Sequence, residues 1–264
     1  KIKACTELID VQTSGGLLVS ENYRGLGIGK NLFQTVLKND FYLGALYTRP
    51  AYNIIKKTEV MLEIPQYVRY LYKGFKRILN IPIYVKNFFL RRRLCIERLD
   101  VVPDWVDQLI INNNYKYMEQ HDALWLQWAL DNNATGNETD YQSFYALYNK
   151  DRQPIGFFMT KTRTIEQDGI RHKKANLVEW AFSDISKLDE ADINILALST
   201  LEPAVVKFWT ISENSGTQNK LLRYQFKRKG WFAMGVRKDE RFEDIGDVMQ
   251  WRIRYGCSNT AIVE

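Results

Sequence analysis

Residues 17–37 read LLVSENYRGLGIGKNLFQTVL. Leu17, Leu18 and Val19 form the apolar run of a short buried strand. Ser20-Glu21-Asn22-Tyr23 then turns the chain. Arg24, Gly25, Leu26, Gly27, Ile28, Gly29 and Lys30 follow, with glycine at every second position. Ile28, Leu32, Phe33, Val36 and Leu37 recur at helical spacing while Lys30, Asn31, Gln34 and Lys38 take the other face, which predicts an amphipathic helix. A strand, a glycine-rich loop and a helix, in that order, suit a phosphate group. Glycine allows positive φ and close approach of the backbone. The first N–H groups of a helix have no partner within it and carry the positive end of its dipole.

Two familiar phosphate loops do not fit. GxxxxGK[ST] fails because Arg24 stands five residues before Gly29 and Asn31 replaces the hydroxyl residue. GxGxxG fails because Lys30 occupies the place of the third glycine, and the region near Pro50 lacks the expected acidic residue. The pattern from Arg24 to Gly29 instead resembles the coenzyme A loop of the GCN5-related N-acetyltransferase (GNAT) superfamily. The resemblance is strong over residues 14–40 and weak elsewhere.

The resemblance implies an acyl-CoA N-acyltransferase fold, with acetyl-CoA as cofactor and acetyl transfer to an amine by direct attack in a ternary complex. It places Leu17, Leu18 and Val19 against the pantetheine arm, and Arg24, Gly25, Leu26, Gly27, Ile28, Gly29 and Lys30 around the pyrophosphate. The family's later Tyr-x-Lys-Leu-Gly-Phe stretch corresponds to Ile55–Val60, so Ile55 replaces the tyrosine that often protonates the departing thiolate. Tyr52, one helical turn earlier, is a substitute. Glu179, with Glu7 and Asp10, is a candidate for the base. The alternative is a non-catalytic module that keeps the fold to bind a ligand or a partner.

Outward from the loop, 41–48 read as a strand, 50–58 as a helix opening at Pro50, and 61–71 as a strand whose Pro65 marks an edge or bend. Residues 72–94 read as a connector. Beyond it we expect helices over 104–111 and 115–130, strands over 143–149, 154–164 and 171–182, a helix over 188–201, and a strand over 205–211. A helix over 218–229 capped by Gly230 and strands over 231–237 and 249–254 follow. These elements make an α+β fold with a mixed, mostly antiparallel sheet flanked by helices. Three segments result: 1–79 as the CoA-binding part, 80–94 as a basic connector, and 95–264 as a second GNAT-like unit without the loop. Only 16 residues precede Leu17, so strands that precede the loop in the family come from elsewhere in the chain or lie outside this sequence.

Charge divides unevenly. Residues 1–100 hold 17 Lys+Arg against 8 Asp+Glu, and residues 101–264 hold 20 against 23. The first part therefore suits an anion. Much of the excess lies in Lys73, Lys76, Arg77, Lys86, Arg91, Arg92 and Arg93, where aromatic neighbours permit contact with an anionic surface through 73–93. Nucleic acid is the less favoured partner; the preferred one is a small-molecule or peptide amine. Cys5, Cys95 and Cys257 are odd in number and far apart, which fits a reducing, cytoplasmic setting. His121 and His172 belong to no zinc motif, so no metal is expected. No run of apolar residues approaches the roughly 20 needed to cross a bilayer, and the start shows no signal-peptide pattern.

Overall fold

The computed structural model describes residues 1–13, 21–23, 25–36, 42–45, 52–53, 56–57, 60–72, 74–112, 114–132, 140–167, 169–237 and 240–257. Leu17, Leu18, Val19, Arg24 and Pro50 lie outside these residues.

A nine-stranded sheet dominates, in the order β3-β4-β12-β5-β11-β10-β9-β8-β6. Its strands are β3 (Gln12–Thr13), β4 (Tyr42–Ala45), β5 (Val60–Tyr70), β6 (Cys95–Leu99), β8 (Tyr141–Tyr148), β9 (Pro154–Gln167), β10 (Ile170–Phe182), β11 (Val205–Ile211) and β12 (Lys227–Val236). A second sheet joins β1 (Ile2–Ala4) and β2 (Glu7–Ile9) to β7 (Tyr117–Glu119) and β13 (Trp251–Arg252), in the order β13-β7-β1-β2. The first residues of the chain thus pair with β7, far along the sequence, and β7 in turn pairs with β13.

The large sheet has a symmetry of arrangement. At its centre β12 and β5 run antiparallel. On one side β12 meets β4, which is parallel to β3. On the other β5 meets β11, which is parallel to β10. Each half therefore gives its last strand to the other: β5 follows β4 in sequence yet pairs with β11, and β12 follows β11 yet pairs with β4. A helix links each parallel pair, α1 (Ile28–Val36) between β3 and β4 and α5 (Glu190–Thr200) between β10 and β11.

Local sequence explains the helix starts. Asp122 caps α4 (Ala123–Asp131) by accepting from Trp125 N at 2.9 Å, Asp189 caps α5 from Asp192 N at 2.9 Å, and Asn214 caps α6 (Ser215–Arg223) from Thr217 N at 3.0 Å. α5 is apolar on nearly every side, and Glu190 to Leu198 are all buried. The larger core lies along α5 and the central strands, with Trp180, Phe208 and Phe232 fully buried. A smaller core packs α3 (Trp105–Ile111) and α4 on β8 and β9 through Val106, Leu126, Phe144 and Phe157.

Four local expectations change. The helix expected over 115–130 begins only at Ala123, because Tyr117 and Met118 are buried on β7 instead. The helix expected over 218–229 ends at Arg223. Gln225, not Gly230, takes the left-handed position there (φ 62°). Gln225 N–H bonds to Leu222 O at 2.9 Å and Phe226 N–H to Leu221 O at 3.0 Å, closing the helix in a Schellman arrangement. Gly230 (φ 76°) lies inside β12, where the register with β5 shifts between Arg228 and Trp231. That shift lets Pro65 sit in an inner strand rather than at an edge: Pro65 faces Trp231 and β11 pairs with β5 only from Gln66 onward, so its missing N–H breaks no ladder. Finally, the expected connector is helical. Gly74–Asn80 forms 3-10 turns and Ile81–Arg91 forms α2, with Pro82 in its first turn. Buried Arg69 holds the junction, donating to Leu79 O at 2.7 Å and Asn80 Oδ1 at 3.0 Å.

Candidate active site

The glycine loop has the backbone its sequence predicts. Gly25 and Gly27 take φ of 86° and 77°, and α1 starts at Ile28, with Asn31 N–H donating to Gly27 O at 3.0 Å as its first turn closes. Among the described residues no heavy atom lies within 4 Å of where a Cβ would stand at either glycine. Conformation rather than crowding therefore requires glycine. Gly25, Leu26, Gly27, Ile28 and Lys30 are exposed and Gly29 is half-buried. The first N–H groups of a helix have no partner within it, and here they stand on exposed or half-buried residues, an arrangement suited to an anion.

Tyr52 lies in a helical turn closed by Lys56 N–H to Tyr52 O at 3.0 Å. Its hydroxyl donates to Glu63 Oε1, and this hydrogen bond raises the phenol pKa, so the group keeps its proton. Glu63 stands on β5 opposite Ala233, and the adjacent Met234 stands opposite Ala45 at the end of β4. At about 4.8 Å per strand, the dyad lies roughly 10 Å across the sheet from β4. Glu63 was not singled out from the sequence. Its signal was available in the alternation of β5, where Glu63 is exposed between buried Leu62 and Ile64.

The other acidic candidates are placed elsewhere. Glu7 is exposed on β2, and Asp10 pairs with Lys1 at 3.6 Å. Glu179 is fully buried. It meets His121 Nδ1 at 2.5 Å and Arg252 Nη2 at 2.6 Å, and its Oε1 accepts from Trp180 N–H at 3.0 Å. Burial alone would raise its pKa; Arg252, His121 and Arg254 overcome that and hold it at about 2. His121, which burial alone would lower, is raised to about 9 by the Glu119 and Glu179 carboxylates beside it. Glu179 is thus an ionised anchor whose oxygens are engaged. It is poorly matched to taking a proton from an ammonium near neutrality.

This network fills the second half's counterpart of the loop region. β10 and β11 pair only to Asn176 and Trp209 and then part. Into the opening comes the chain after β13. The Arg254 guanidinium stacks 3.8 Å over Trp180 and reaches Glu190 and Glu213, each at 3.6 Å. Glu190 opens α5, where Ile28 opens α1. Glu190, with Asp189 and Glu213 as neighbours and Arg254 paired to it, occupies that position. Burial, then Glu213, pushes the Glu190 pKa up.

The same region brings Glu119, His121 and Cys257 together, their ligand-type atoms within 4.8 Å of one another. Cys257 stands far along the sequence from Glu119 and His121, which concealed this. His121 stacks on Trp125 with ring centres 3.9 Å apart and its Nε2 lies 3.5 Å from Glu119 Oε2. An imidazolium held between two carboxylates accounts for this geometry.

No protein-family profile matches the sequence, and no curated protein matches it. Solved structures do. A crystal structure of Saccharomyces cerevisiae N-myristoyltransferase with bound myristoyl-CoA covers 89% of this chain with a TM-score of 0.56 at 11% identity. A second, with myristoyl-CoA and inhibitors, covers 89% with a TM-score of 0.57, again at 11% identity. This chain spans 64% and 62% of the lengths of those two. At such identity the likeness is one of fold. The chain shares the α+β acyl-CoA N-acyltransferase fold of these N-myristoyltransferase structures.

Proposed function

We propose that this chain is an acyl-CoA-dependent N-acyltransferase that moves an acyl group to the amine of a small molecule or peptide in a ternary complex. The observation that carries this reading is the pair of left-handed glycines opening α1, an accessible set of main-chain donors inside an acyltransferase fold. Acetyl is the group implied by the sequence resemblance. The structural neighbours hold myristoyl-CoA, which extends the candidates to long chains. In this reading residues 1–79 supply the CoA-binding part, and 95–264 form a second unit without the loop, its counterpart space taken by Arg252, Arg254 and their carboxylates. Residues 80–94 join them.

In the proposed chemistry the amides of Ile28, Gly29 and Lys30, with Arg24 and Lys30, hold the diphosphate; each charged hydrogen bond contributes about 1.5–3 kcal/mol. Leu17, Leu18 and Val19 border the pantetheine arm. As the amine attacks the thioester carbonyl, the N–C bond forms and the C–S bond breaks. Glu63 accepts the proton of the amine, and the Tyr52 hydroxyl gives a proton to the sulfur. No helix among the described residues is long and apolar enough to cross a membrane. The three cysteines are free, in keeping with the reducing, cytoplasmic setting we propose.

The test is thermal melting with CoA thioesters from acetyl to palmitoyl, followed by release of free thiol when an amine is added. At about 100 times the dissociation constant a ligand raises stability by about 2.7 kcal/mol. Gly27→Glu should abolish that gain while leaving the apo protein folded. The absence of stabilisation by any thioester would overturn the proposal. Stabilisation without thiol release to any amine favours the non-catalytic alternative, which Ile55 at the usual tyrosine position supports.

A further inference from the structure

Helix α2 is apolar on two faces. One face is buried: Ile83 and Leu90 pack toward α5, and Lys86 on that side pairs with Asp192 at 2.8 Å. The other carries Ile81, Tyr84, Val85 and Phe88, at positions i, i+3, i+4 and i+7, all exposed, Phe88 to 58%. Ile78 before the helix and Phe89 within it extend the patch, at 66% and 57% exposure. Scattered exposed apolar residues are ordinary, but a continuous stripe of this kind marks a binding surface.

The rim of the stripe is cationic. The Arg77 guanidinium lies over Tyr84, 5.9 Å from the ring centre, and that of Arg92 lies over Phe88 at 5.7 Å. Lys76, Arg91 and Arg93 add to it. Among the described residues none of these five has a carboxylate within ion-pair distance: Arg91 reaches Ser199 Oγ and Arg93 reaches Ser186 O. No acidic residue occurs between Glu63 and Glu97, a stretch holding eight Lys and Arg. A solvated helix face needs no such aromatic stripe, and the surface of an ordinary partner protein would have to match a strip of one charge sign around it. A sheet of anionic headgroups over hydrocarbon satisfies both features at once: the apolar face enters the acyl boundary while the arginines stay among the phosphates.

We propose that α2 and the turns before it form a peripheral docking face for anionic phospholipid membranes. The helix lies in the plane of the surface, with Ile81, Tyr84, Val85 and Phe88 turned into it. The inference does not depend on the acyltransferase reading, since no thioester enters its test.

The test is sedimentation of the chain with vesicles of phosphatidylcholine, and of phosphatidylcholine with phosphatidylserine. Binding is expected to the anionic vesicles only and to weaken as salt rises. Each cation near the surface contributes about fivefold in partition, so Lys76→Gln/Arg77→Gln/Arg92→Gln should weaken binding on the order of a hundredfold. Phe88→Ser should weaken it by about tenfold. These side chains are exposed, and unchanged melting would show that the variants fold. Equal binding to neutral vesicles, no binding to either, or a triple variant that binds as before would overturn the proposal. So would a doubled mass by light scattering that Phe88→Ser halves in a chain that ignores vesicles, since the stripe would then be a contact between two copies.

Discussion

Replacing Glu179 with Gln keeps the shape of the side chain and removes one charge from the most enclosed ionic cluster among the described residues. Three cations would then face an amide: His121 at 2.5 Å, Arg252 at 2.6 Å and Arg254 at 3.8 Å from the present carboxylate. Breaking one side of a buried pair costs about 3–5 kcal/mol, because the partner stays buried without compensation. Against a total stability of about 5–15 kcal/mol this is a large fraction, and for a chain of this size it lowers Tm by about 10 °C. The effect depends on pH in a set direction. A carboxyl held at about 2 stabilises the fold above its ordinary pKa, and that contribution fades as pH falls toward 2. An imidazole raised to about 9 stabilises fully below about 6.5, and that contribution fades as pH rises through 9. These are two views of one interaction and do not add. Urea unfolding of both proteins should therefore show the widest gap between about pH 5 and 7, narrowing toward pH 9.5. A gap below about 1 kcal/mol at pH 6, or one that widens with alkalinity, would refute the reasoning. Acyl transfer measured well below the variant's melting point separates the roles further: an anchor leaves the rate near its former value, and a base does not.

Gly27→Ala puts a Cβ at φ 77° in open space, so it should cost about 1–2 kcal/mol in strain, read by melting, and weaken thioester binding even though nothing clashes. Gly156→Ala fails for the opposite reason: its Cβ would lie 3.0 Å from Ala181 O and 3.1 Å from Phe182 Cβ in the middle of the sheet, a loss of about 1–3 kcal/mol by urea unfolding. Tyr52→Phe removes the proton shared with Glu63 and should lower kcat by about 10²–10⁴-fold with little change in thioester affinity if Tyr52 is the acid; an unchanged kcat dismisses it. Asn214→Ala removes the cap of α6 and should cost about 1 kcal/mol.

Much of the fold could be read because it is local. The strand over 205–211 and the helix starting at Ile28 follow from periodicity and glycine placement, and the structure has both. What could not be read is long-range. Tyr117 and Met118 fit a helical stripe as well as a strand, and only their ladder to Ile2–Ala4 decides for β7. Gly230 looked like a helix cap because glycine favours left-handed backbone, yet Gln225 accepts φ 62° once two hydrogen bonds and the burial of Leu221 and Phe226 hold it there. The glycine loop was visible for the same local reason. The Tyr52–Glu63 contact and the grouping of Glu119, His121 and Cys257 required the sheet.

In the proposed reading, the exchange of last strands lets one half lack a ligand site without losing its fold. β5 and β12 pair edge to edge between the two parallel pairs, and their Ile64, Val68, Phe232 and Met234 are all enclosed. Stability of the centre therefore does not depend on what occupies either parted parallel pair. On the β10/β11 side the opening would leave Trp180 and the start of α5 uncovered, and the chain after β13 covers them. Arg254 does this by burying a charge, and the carboxylates of Glu213, Glu190 and Glu179 around it outweigh the burial and hold it protonated. Arginine suits this position because its planar guanidinium lies over Trp180 while its nitrogens still face carboxylates, which an ammonium cannot do. Arg254→Lys should accordingly destabilise by an amount close to Arg254→Ala, and Arg254→Met less than either if the stacking area outweighs the charge. If Lys proves neutral, the plug is held by charge alone and the stacking argument fails.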